Sequence, residues 1–366
     1  MKIIISGGGT GGHIFPAIAI AKTIQSRKPD AEILFVGAEG KMEMEKVPAA
    51  GFKIVGLPIV GIQRRLTLKN LAVPFKLLSS MIKARRILKD FKPDIAIGVG
   101  GYASGPLLRA ATGKGIKTLI QEQNSYPGIT NKILSSKVDR ICVAYEGLEK
   151  YFPQEKIVIT GNPVRPEVTK LEGKLERAQE QFQLDRSKRT ILVIGGSLGA
   201  RTINLAIRRW AEDLVKEGYQ LIWQTGKTYI ETAQTFVKDH NLSDVHVYEF
   251  IREMDLAYAA ADIIVSRAGA MSIAELCLVR KPSIFIPSPN VSEDHQTKNA
   301  MALVQRNAAV LVKDVDAQND LKREILALIT NEQKMTQCAA NMAALGFPNA
   351  AEAIVAEVFA LINQKN

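Results

Sequence analysis

Two glycine-rich loops with the same local pattern occur in the two halves of the chain. Each directly follows an apolar, β-branched run: IIISGGGTGGH at Ile3–His13 and ILVIGGSLGA at Ile191–Ala200. Glycines there let backbone N–H groups come close to a ligand, and the helix that follows presents its positive end to a phosphate. The loops therefore predict two phosphate-binding turns, although a tight strand–helix turn alone would also use glycine.

The first loop contains Gly7-x-Gly9-x-x-Gly12, which matches the dinucleotide-binding fingerprint. A nicotinamide-binding unit would place an acidic residue at the tip of the second strand, to hold the ribose. Here that strand ends in Leu34-Phe35-Val36-Gly37, without an acid. A nicotinamide dehydrogenase is therefore an alternative that the sequence argues against.

Two residues of the first half are candidate general bases. His13 lies at the first turn of a predicted helix, where the helix dipole disfavours the imidazolium and favours a neutral, proton-accepting ring. A histidine that simply bonds a loop carbonyl is the alternative. Glu122, in the segment QEQN at 121–124, is the second candidate. It could equally be a carboxylate that accepts from loop N–H groups.

Polar groups of the second half suit a nucleotide sugar. Ser197 in the second loop and Arg165 in GNPVR could hold a diphosphate, or Arg165 could be a solvated surface residue. Glu275 lies one turn into the helix that begins at SRAGAMS, where it could accept hydrogen bonds from both ribose hydroxyls. The alternative is that a glutamate is simply a favoured residue in a first helical turn. The cluster EDHQTKN at 293–299 suits sugar hydroxyls.

The sequence does not predict a metal site or a bound cofactor. Asp314-Val315-Asp316 matches the DxD of metal-dependent transferases, but an Asp there is also a natural helix cap. The four histidines show no metal-binding spacing, and the three cysteines show no CxxC pair. We therefore expect helix N-termini, Ser197 and Arg165 to stabilise a leaving diphosphate without a cation.

The excess of basic over acidic residues lies entirely in the first half. Residues 1–165 contain 25 Lys and Arg against 12 Asp and Glu, and the segment Ile62–Lys92 alone contains nine basic residues. Within it Phe75, Leu78, Met81 and Ile82 recur at helical spacing, which is typical of an interfacial membrane helix or of a core-facing stripe. The patch that this predicts comprises Phe75, Lys76, Leu78, Ile82, Lys83, Arg85 and Arg86. A nucleic-acid-binding protein is disfavoured, since no binding module is recognisable.

Apolar runs alternate with amphipathic helical stretches, which predicts a parallel α/β fold. The pattern restarts near residue 190, so we expect two Rossmann-like domains with a boundary in Thr160–Pro166. We expect Lys170–Lys188 to be an exposed helix or linker, and Ala350–Leu361 to be an amphipathic helix. The strand candidates are Lys2–Ile5, Ile33–Val36, Ile95–Ile97, Thr118–Ile120, Arg140–Val143, Ile157–Ile159, Ile191–Ile194, Leu221–Gln224, Val245–Tyr248, Ile263–Val265, Ser283–Ile286 and Ala309–Leu311.

Length and composition agree with a two-domain globular protein. The chain has 366 residues, of which 46% are hydrophobic and 23% are charged. No window approaches the roughly 18 consecutive apolar residues of a membrane-spanning helix. The N-terminus lacks the pattern of a signal peptide, so we expect a cytoplasmic location.

Eight segments in a fixed order carry a specific resemblance: GGGTGGHIFPA, GGYASGP, EQN, GNPVR, GGSLGAR, FI, SRAGAMSIAE and DHQTKNA. In this order they resemble the MurG family, the UDP-N-acetylglucosamine:lipid I transferases of bacterial peptidoglycan synthesis. These are two-domain GT-B enzymes of glycosyltransferase family 28. The resemblance covers nearly the whole chain. One departure is that many relatives read HEQN where this chain has QEQN, which excludes a catalytic histidine at position 121.

The resemblance implies roles for individual residues. Thr10, Gly11 and Gly12 would lie near the donor sugar and the acceptor diphosphate, beside His13. Asn124 and Gln296 would contact the sugar, Arg165 and Ser197 would lie on the donor side, and the backbone of Ile251 would read uracil. Six consecutive residues would surround the nucleotide: Ala270, Met271, Ser272, Ile273, Ala274 and Glu275. Glu275 would bind the ribose.

The resemblance also implies the reaction. Residues 1–162, with 345–366 packed back on them, would take the acceptor and dock on a membrane, and residues 163–344 would bind UDP-GlcNAc across a cleft. A base, His13 or Glu122, would activate the 4-hydroxyl of MurNAc in lipid I, and inversion would give lipid II and UDP. Implied partners are the anionic cytoplasmic leaflet and cell-wall synthesis proteins. Another GT-B enzyme, such as a diacylglycerol glycosyltransferase, is the alternative.

Overall fold

A computed structural model of the chain describes residues 1–59, 73–196 and 198–364. These residues form two compact units. The amino-terminal unit is Met1–Val164 with Phe347–Asn366, and the carboxy-terminal unit is Arg165–Gly346. Each division falls two residues beyond the boundary expected from the sequence.

The amino-terminal unit is a parallel sheet covered by helices. Its strands are β1 Lys2–Ser6, β2 Glu32–Ala38, β3 Lys53–Leu57, β4 Ile95–Gly98, β5 Lys117–Glu122, β6 Arg140–Val143 and β7 Ile157–Ile159. Its first helices are α1 Gly11–Arg27, α2 Glu43–Ala49, α3 Val73–Phe91, α4 Ser104–Thr112 and α5 Ile129–Leu134. The strand order is β3-β2-β1-β4-β5-β6-β7. The order therefore reverses between β1 and β4, and the loops after these two strands flank a topological switch point.

The carboxy-terminal unit repeats this plan with six strands. Its strands are β8 Thr190–Ile194, β9 Gln220–Gln224, β10 Val245–Tyr248, β11 Ile263–Ser266, β12 Ser283–Phe285 and β13 Val310–Leu311. Its helices are α6 Pro166–Thr169, α7 Leu175–Gln181, α8 Arg201–Lys216, α9 Ile230–Asp239, α10 Met254–Ala260, α11 Ala270–Val279, α12 His295–Val304, α13 Ala317–Ile329 and α14 Glu332–Ala344. The order is β10-β9-β8-β11-β12-β13, with the switch point between β8 and β11.

The central strands are buried because helices cover both faces of each sheet. Ile3, Ile4 and Ile5 of β1 are fully buried, and so are Ile191, Leu192 and Val193 of β8. The last helix, α15 Ala350–Asn363, returns to the amino-terminal unit. It places its apolar face in the core beside α1.

The predicted α/β class and the two Rossmann-like units of a GT-B protein are confirmed. Every predicted strand is present, whereas β3 was missed. The segment 170–188 is not simply exposed, because its helix α7 packs on α10 and buries Ala178 and Phe182. Three short 3-10 turns complete the described elements: Gln154–Lys156, Ser292–Asp294 and Asp314–Asp316.

Candidate functional site

A cavity of about 530 Å³ opens at the switch point of the carboxy-terminal unit. The glycine loop after β8 forms one wall, and the turn after β11 with the start of α11 forms another. Gln224 at the end of β9 and residues from the segments after β10, β12 and β13 complete it. The cavity thus lies where parallel α/β sheets bind ligands, beyond the carboxyl ends of the strands.

Glu275 is a half-buried carboxylate that lines this cavity. The Tyr258 hydroxyl donates to Glu275 Oε2 at 3.0 Å. Burial raises the pKa of Glu275, while the hydrogen bond from Tyr258 and the positive charge of Arg165 oppose that rise. A carboxylate held in this way offers its remaining acceptor positions to hydroxyl groups of a ligand.

Gln224, at the end of β9, connects two walls of the cavity. Its Nε2 donates to the Gly196 carbonyl at 3.1 Å, and its Oε1 accepts from the Ile251 N–H at 2.9 Å. It therefore ties the glycine loop to the segment that was predicted to read uracil. The sequence analysis missed Gln224, although a polar residue that ends an apolar strand beside a switch point is a usable signal.

Some of the other predicted donor-binding residues line this cavity, and others do not. Ser272 and Gln296 line it, and Gln296 Oε1 accepts from the Ser288 N–H at 2.8 Å. Arg165 caps α6 and lies close enough to Glu275 to affect its charge. Ser197 lies outside the described residues. Four further predicted residues belong to the same helix, α11: Ala270, Met271, Ile273 and Ala274.

The first aspartate of the DxD segment is held by protein groups. Asp314 forms an ion pair with Arg267 through Oδ1, and its Oδ2 accepts from the Thr202 hydroxyl at 2.9 Å. Arg267 also donates to the Ile286 and Pro287 carbonyls at 2.9 and 3.1 Å. Among the described residues, no group of three or more His, Cys, Asp or Glu could hold a metal ion.

His13 stands at the switch point of the amino-terminal unit, in the first turn of α1. Its Nδ1 lies 3.0 Å from the Gly8 carbonyl oxygen. A carbonyl can only accept, so Nδ1 carries the proton and, in the neutral ring, Nε2 carries the lone pair. The two interpretations of His13 are therefore compatible: the ring bonds a loop carbonyl and still presents a basic nitrogen.

The loop after β4 closes on this histidine. Gly100 has φ +98°, and a Cβ there would lie 2.7 Å from His13 Cδ2. The Gly8 N–H donates to the Gly100 carbonyl at 3.3 Å. Only glycine permits this approach. Of the other predicted loop residues, Thr10 and Gly12 are exposed and Gly11 is half-buried.

Glu122 is surrounded by hydrogen-bond donors and is only 1% exposed. One oxygen accepts from the backbone and side-chain nitrogens of Asn124 at 3.0 and 3.1 Å. The other accepts from the Gly128 N–H at 3.1 Å and from Asn131 Nδ2 at 2.8 Å. Both carboxylate oxygens of Glu122 thus accept from groups of the protein, which favours the interpretation of a loop-ordering carboxylate.

Gln121, where relatives were expected to have histidine, is fully buried. Its Nε2 donates to Asn162 Oδ1 at 3.0 Å, and its Oε1 accepts from Gln123. Asn162 in turn donates to the Gln123 carbonyl at 3.0 Å. Gln121 therefore has a structural role, because its hydrogen bonds connect Gln123 to Asn162.

Helix α3 has two faces. Ala84 and Leu88 enter the core, and Met81 packs against it, whereas Phe75, Leu78 and Ile82 are 75%, 61% and 57% exposed. These three residues, with Lys76, Lys83, Arg85 and Arg86, form what we call the α3 surface patch. Lys83 pairs with Glu39 at 2.8 Å. Within the described ranges, no helix combines the length and apolarity needed to cross a bilayer.

Comparison with protein families gives two matches that together span most of the chain. Residues 3–143 match the glycosyltransferase family 28 N-terminal domain, and residues 190–354 match the glycosyltransferase family 28 C-terminal domain. The first range lies within the amino-terminal unit, and the second covers most of the carboxy-terminal unit and the start of α15.

Two curated relatives are similar over the full length. The protein from Cytophaga hutchinsonii is 56% identical over 99% of this chain and 97% of its own. The protein from Parabacteroides distasonis is 53% identical over 100% of this chain and 99% of its own. Both are named UDP-N-acetylglucosamine--N-acetylmuramyl-(pentapeptide) pyrophosphoryl-undecaprenol N-acetylglucosamine transferase.

Solved structures give the same fold. The crystal structure of Acinetobacter baumannii MurG superposes with a TM-score of 0.81 at 29% identity, over 98% of this chain and 99% of that one. A UDP-GlcNAc 2-epimerase from Neisseria meningitidis, at 18% identity and a TM-score of 0.68, shares the fold alone.

Proposed function

The chain belongs to glycosyltransferase family 28, and from this premise we propose that it transfers N-acetylglucosamine from UDP-GlcNAc to lipid I. The acceptor atom is the 4-hydroxyl of MurNAc in undecaprenyl-diphosphate-MurNAc-pentapeptide. The products are lipid II and UDP, as the names of the full-length relatives imply. This is a hexosyl transfer in peptidoglycan synthesis.

The observation that carries the proposal is the cavity of the carboxy-terminal unit. It combines a glycine loop at a helix N-terminus, suited to a diphosphate, with the half-buried Glu275 carboxylate, suited to ribose hydroxyls. Gln296 and Ser272 add polar groups to the lining of the same cavity. We assign UDP-GlcNAc to this cavity and the contact with uracil to the backbone at Ile251. Arg165 and Ser197 belong to the same assignment, on the diphosphate.

The amino-terminal unit would supply the acceptor side, with His13 as the general base. With Nδ1 bonded to the Gly8 carbonyl, Nε2 can take the proton of the acceptor hydroxyl as that oxygen attacks the anomeric carbon. Inversion at that carbon gives a β-1,4 bond. We assign Thr10, Gly11, Gly12 and Asn124 to the substrates at this base. Positive helix ends and Arg165 would stabilise the leaving UDP, so the proposal includes no metal ion.

The membrane assignment rests on the α3 surface patch. An exposed apolar ridge bordered by Lys and Arg is suited to the interface of an anionic leaflet. We propose that the protein acts at the cytoplasmic face of the plasma membrane, where it could meet other cell-wall synthesis proteins. Charge reversal at Lys83, Arg85 and Arg86 should reduce binding to phosphatidylglycerol vesicles with the fold intact. Unchanged partitioning would contradict this docking surface.

The decisive experiment is transfer of labelled GlcNAc from UDP-GlcNAc to a lipid I analogue, with and without EDTA. Transfer to lipid I that resists the chelator supports the proposal. Diacylglycerol, offered as the competing acceptor, tests the alternative of a glycolipid synthase. Transfer to diacylglycerol alone, or loss of activity with EDTA, would contradict the acceptor or the metal-free assignment respectively.

A further inference from the structure

The glycine loop of the amino-terminal unit is held by a carboxylate that the proposed reaction does not use. Glu43, the first residue of α2, is fully buried. Its Oε2 accepts from the Gly9 N–H at 2.9 Å, and its Oε1 accepts from the Ala38 N–H at 3.0 Å. Both oxygens are acceptors, as an ionised carboxylate requires.

The structure is shaped around this carboxylate. A Cβ at Gly8 would lie 2.2 Å from Glu43 Oε1, and a Cβ at Gly37 would lie 2.6 Å from Glu43 Cγ. Any side chain at either position would displace the carboxylate from the loop. Glycines at positions 8 and 37 therefore form the space that Glu43 fills.

Glu43 and His13 bond opposite ends of one peptide group. The Gly9 N–H that donates to Glu43 and the Gly8 carbonyl that accepts from His13 Nδ1 belong to the peptide between Gly8 and Gly9. Hydrogen bonds in series polarise one another, and a charged acceptor strengthens the bond that it receives. A carboxylate on the N–H side therefore makes the Gly8 oxygen a stronger acceptor for the imidazole.

We propose that Glu43 is a positioning residue for His13 and acts through the Gly8–Gly9 peptide. It holds the proton on Nδ1, so that the lone pair of the neutral ring stays on Nε2, and it stabilises the imidazolium that forms when Nε2 takes a proton. A carboxylate bonded directly to a histidine has the same effect. This inference rests on the proposed function for its catalytic consequence, whereas the tautomer can be measured without turnover.

The test is Glu43→Gln, which keeps the shape and removes the charge. We expect kcat to fall roughly tenfold, a part of the about 10²–10⁴-fold that general-base catalysis supplies. The KM for UDP-GlcNAc should stay unchanged. Glu39→Gln is the matched control, since Glu39 pairs with Lys83 at the surface and should leave kcat unaltered.

Nitrogen-15 NMR of the histidine rings gives the independent readout. The chain has four histidines, and His13→Asn identifies the signals of His13. At a pH where the ring is neutral, the wild-type protein should show the Nδ1–H tautomer of His13, and Glu43→Gln should shift part of the population to Nε2–H. An unchanged tautomer population in a folded variant would overturn the proposal.

Glu43→Asp covers the case in which the glutamine variant does not fold. Its charge is retained but its side chain is shorter, so it cannot reach both N–H groups, and we expect an intermediate kcat and an intermediate tautomer population. If both variants unfold, or if both fold with wild-type kcat, Glu43 has only a structural role. If wild-type protein fails to transfer GlcNAc while the tautomer still depends on Glu43, the proposed function fails and the link through the peptide stands.

Discussion

The two glycine loops begin from the same sequence pattern and face different partners. In the carboxy-terminal unit, the loop after β8 lines a cavity of about 530 Å³. In the amino-terminal unit, the N–H groups of Gly8 and Gly9 already donate to protein acceptors, the Gly100 carbonyl and the Glu43 carboxylate. The carboxy-terminal loop therefore lines a cavity, whereas the Gly8–Gly9 part of the amino-terminal loop is ordered by a carboxylate of the protein.

This difference indicates a division of labour between two copies of one supersecondary motif. A glycine loop that lines a cavity at a helix N-terminus can bind a phosphate, and we expect this loop to contribute mainly to affinity. In the amino-terminal loop, the amides of Gly8 and Gly9 are bonded to protein acceptors, so this part of the loop can hold the neighbouring His13 side chain rigidly. Variants of the amino-terminal loop should therefore change turnover, and variants of the carboxy-terminal cavity should change donor affinity.

The largest effect is expected from His13→Ala. Loss of a general base should lower kcat by about 10²–10⁴-fold, because the acceptor hydroxyl would keep its proton during attack. The Kd for UDP-GlcNAc, measured by calorimetry, should be unchanged. His240→Ala is a matched control, since His240 lies on the surface of the other unit and bonds the Phe236 carbonyl. Full turnover of His13→Ala at saturating substrates would mean that another group is the base.

The converse prediction concerns Glu275→Ala. Hydrogen bonds to a charged group contribute about 1.5–3 kcal/mol, so the Kd for UDP-GlcNAc should rise roughly ten- to a hundredfold. The same variant also removes the hydrogen-bond acceptor of the Tyr258 hydroxyl. Tyr258→Phe is therefore the control, because it removes this hydrogen bond and keeps the Glu275 carboxylate. A Glu275→Ala variant with wild-type affinity for UDP-GlcNAc but a low kcat would contradict the assignment of donor affinity to the carboxy-terminal cavity.

A smaller effect is expected from Gln224, which connects Gly196 to Ile251. Gln224→Ala removes two hydrogen bonds that order the cavity wall, and a resulting loss of about 1.4 kcal/mol of binding free energy would raise the Kd for UDP roughly tenfold. Uridine, which has no phosphates to contact the loop, should lose less affinity than UDP. Gln224→Glu keeps the acceptor for Ile251 and removes the donor to Gly196, so it separates the two bonds. Equal losses for uridine and UDP would mean that Gln224 acts on the base alone.

Sequence patterns predicted most of the frame of both units. The strands at 140–143, 157–159 and 245–248 have the bounds that were predicted, because short β-branched runs between other segments favour strands. The strand β3 was missed, since KIVGL includes Gly56 and begins with an exposed lysine. Parallel strands bring their carboxyl ends to one edge, which is why loops distant in sequence could be expected to converge.

The contacts within the sites could not be predicted in the same way. Glu43 lies six residues beyond the strand tip at Gly37 where an acid was sought, and its contact with Gly9 depends on how α2 packs against the loop. The choice between base and loop carboxylate at Glu122 likewise required the positions of Asn124 and Asn131. Spacing identified which residues could do chemistry, and tertiary packing determined which polar groups were already satisfied.

The smallest expected effect is a pH dependence that belongs to the cavity alone. Burial raises the pKa of Glu275 in the free protein, and ribose hydroxyls donate to the ionised form, so UDP-GlcNAc should bind more weakly as protonation competes. Affinity should be constant well above that raised pKa and should fall as pH decreases through it, by at most about tenfold per pH unit. Because the pKa is raised, the fall should begin at a higher pH than an ordinary glutamate would give. Calorimetric titrations of wild type and Glu275→Gln across acidic pH test this, since the glutamine has no charge to lose. A parallel fall in both proteins would assign the pH dependence to the diphosphate or to another group, and not to the Glu275 carboxylate.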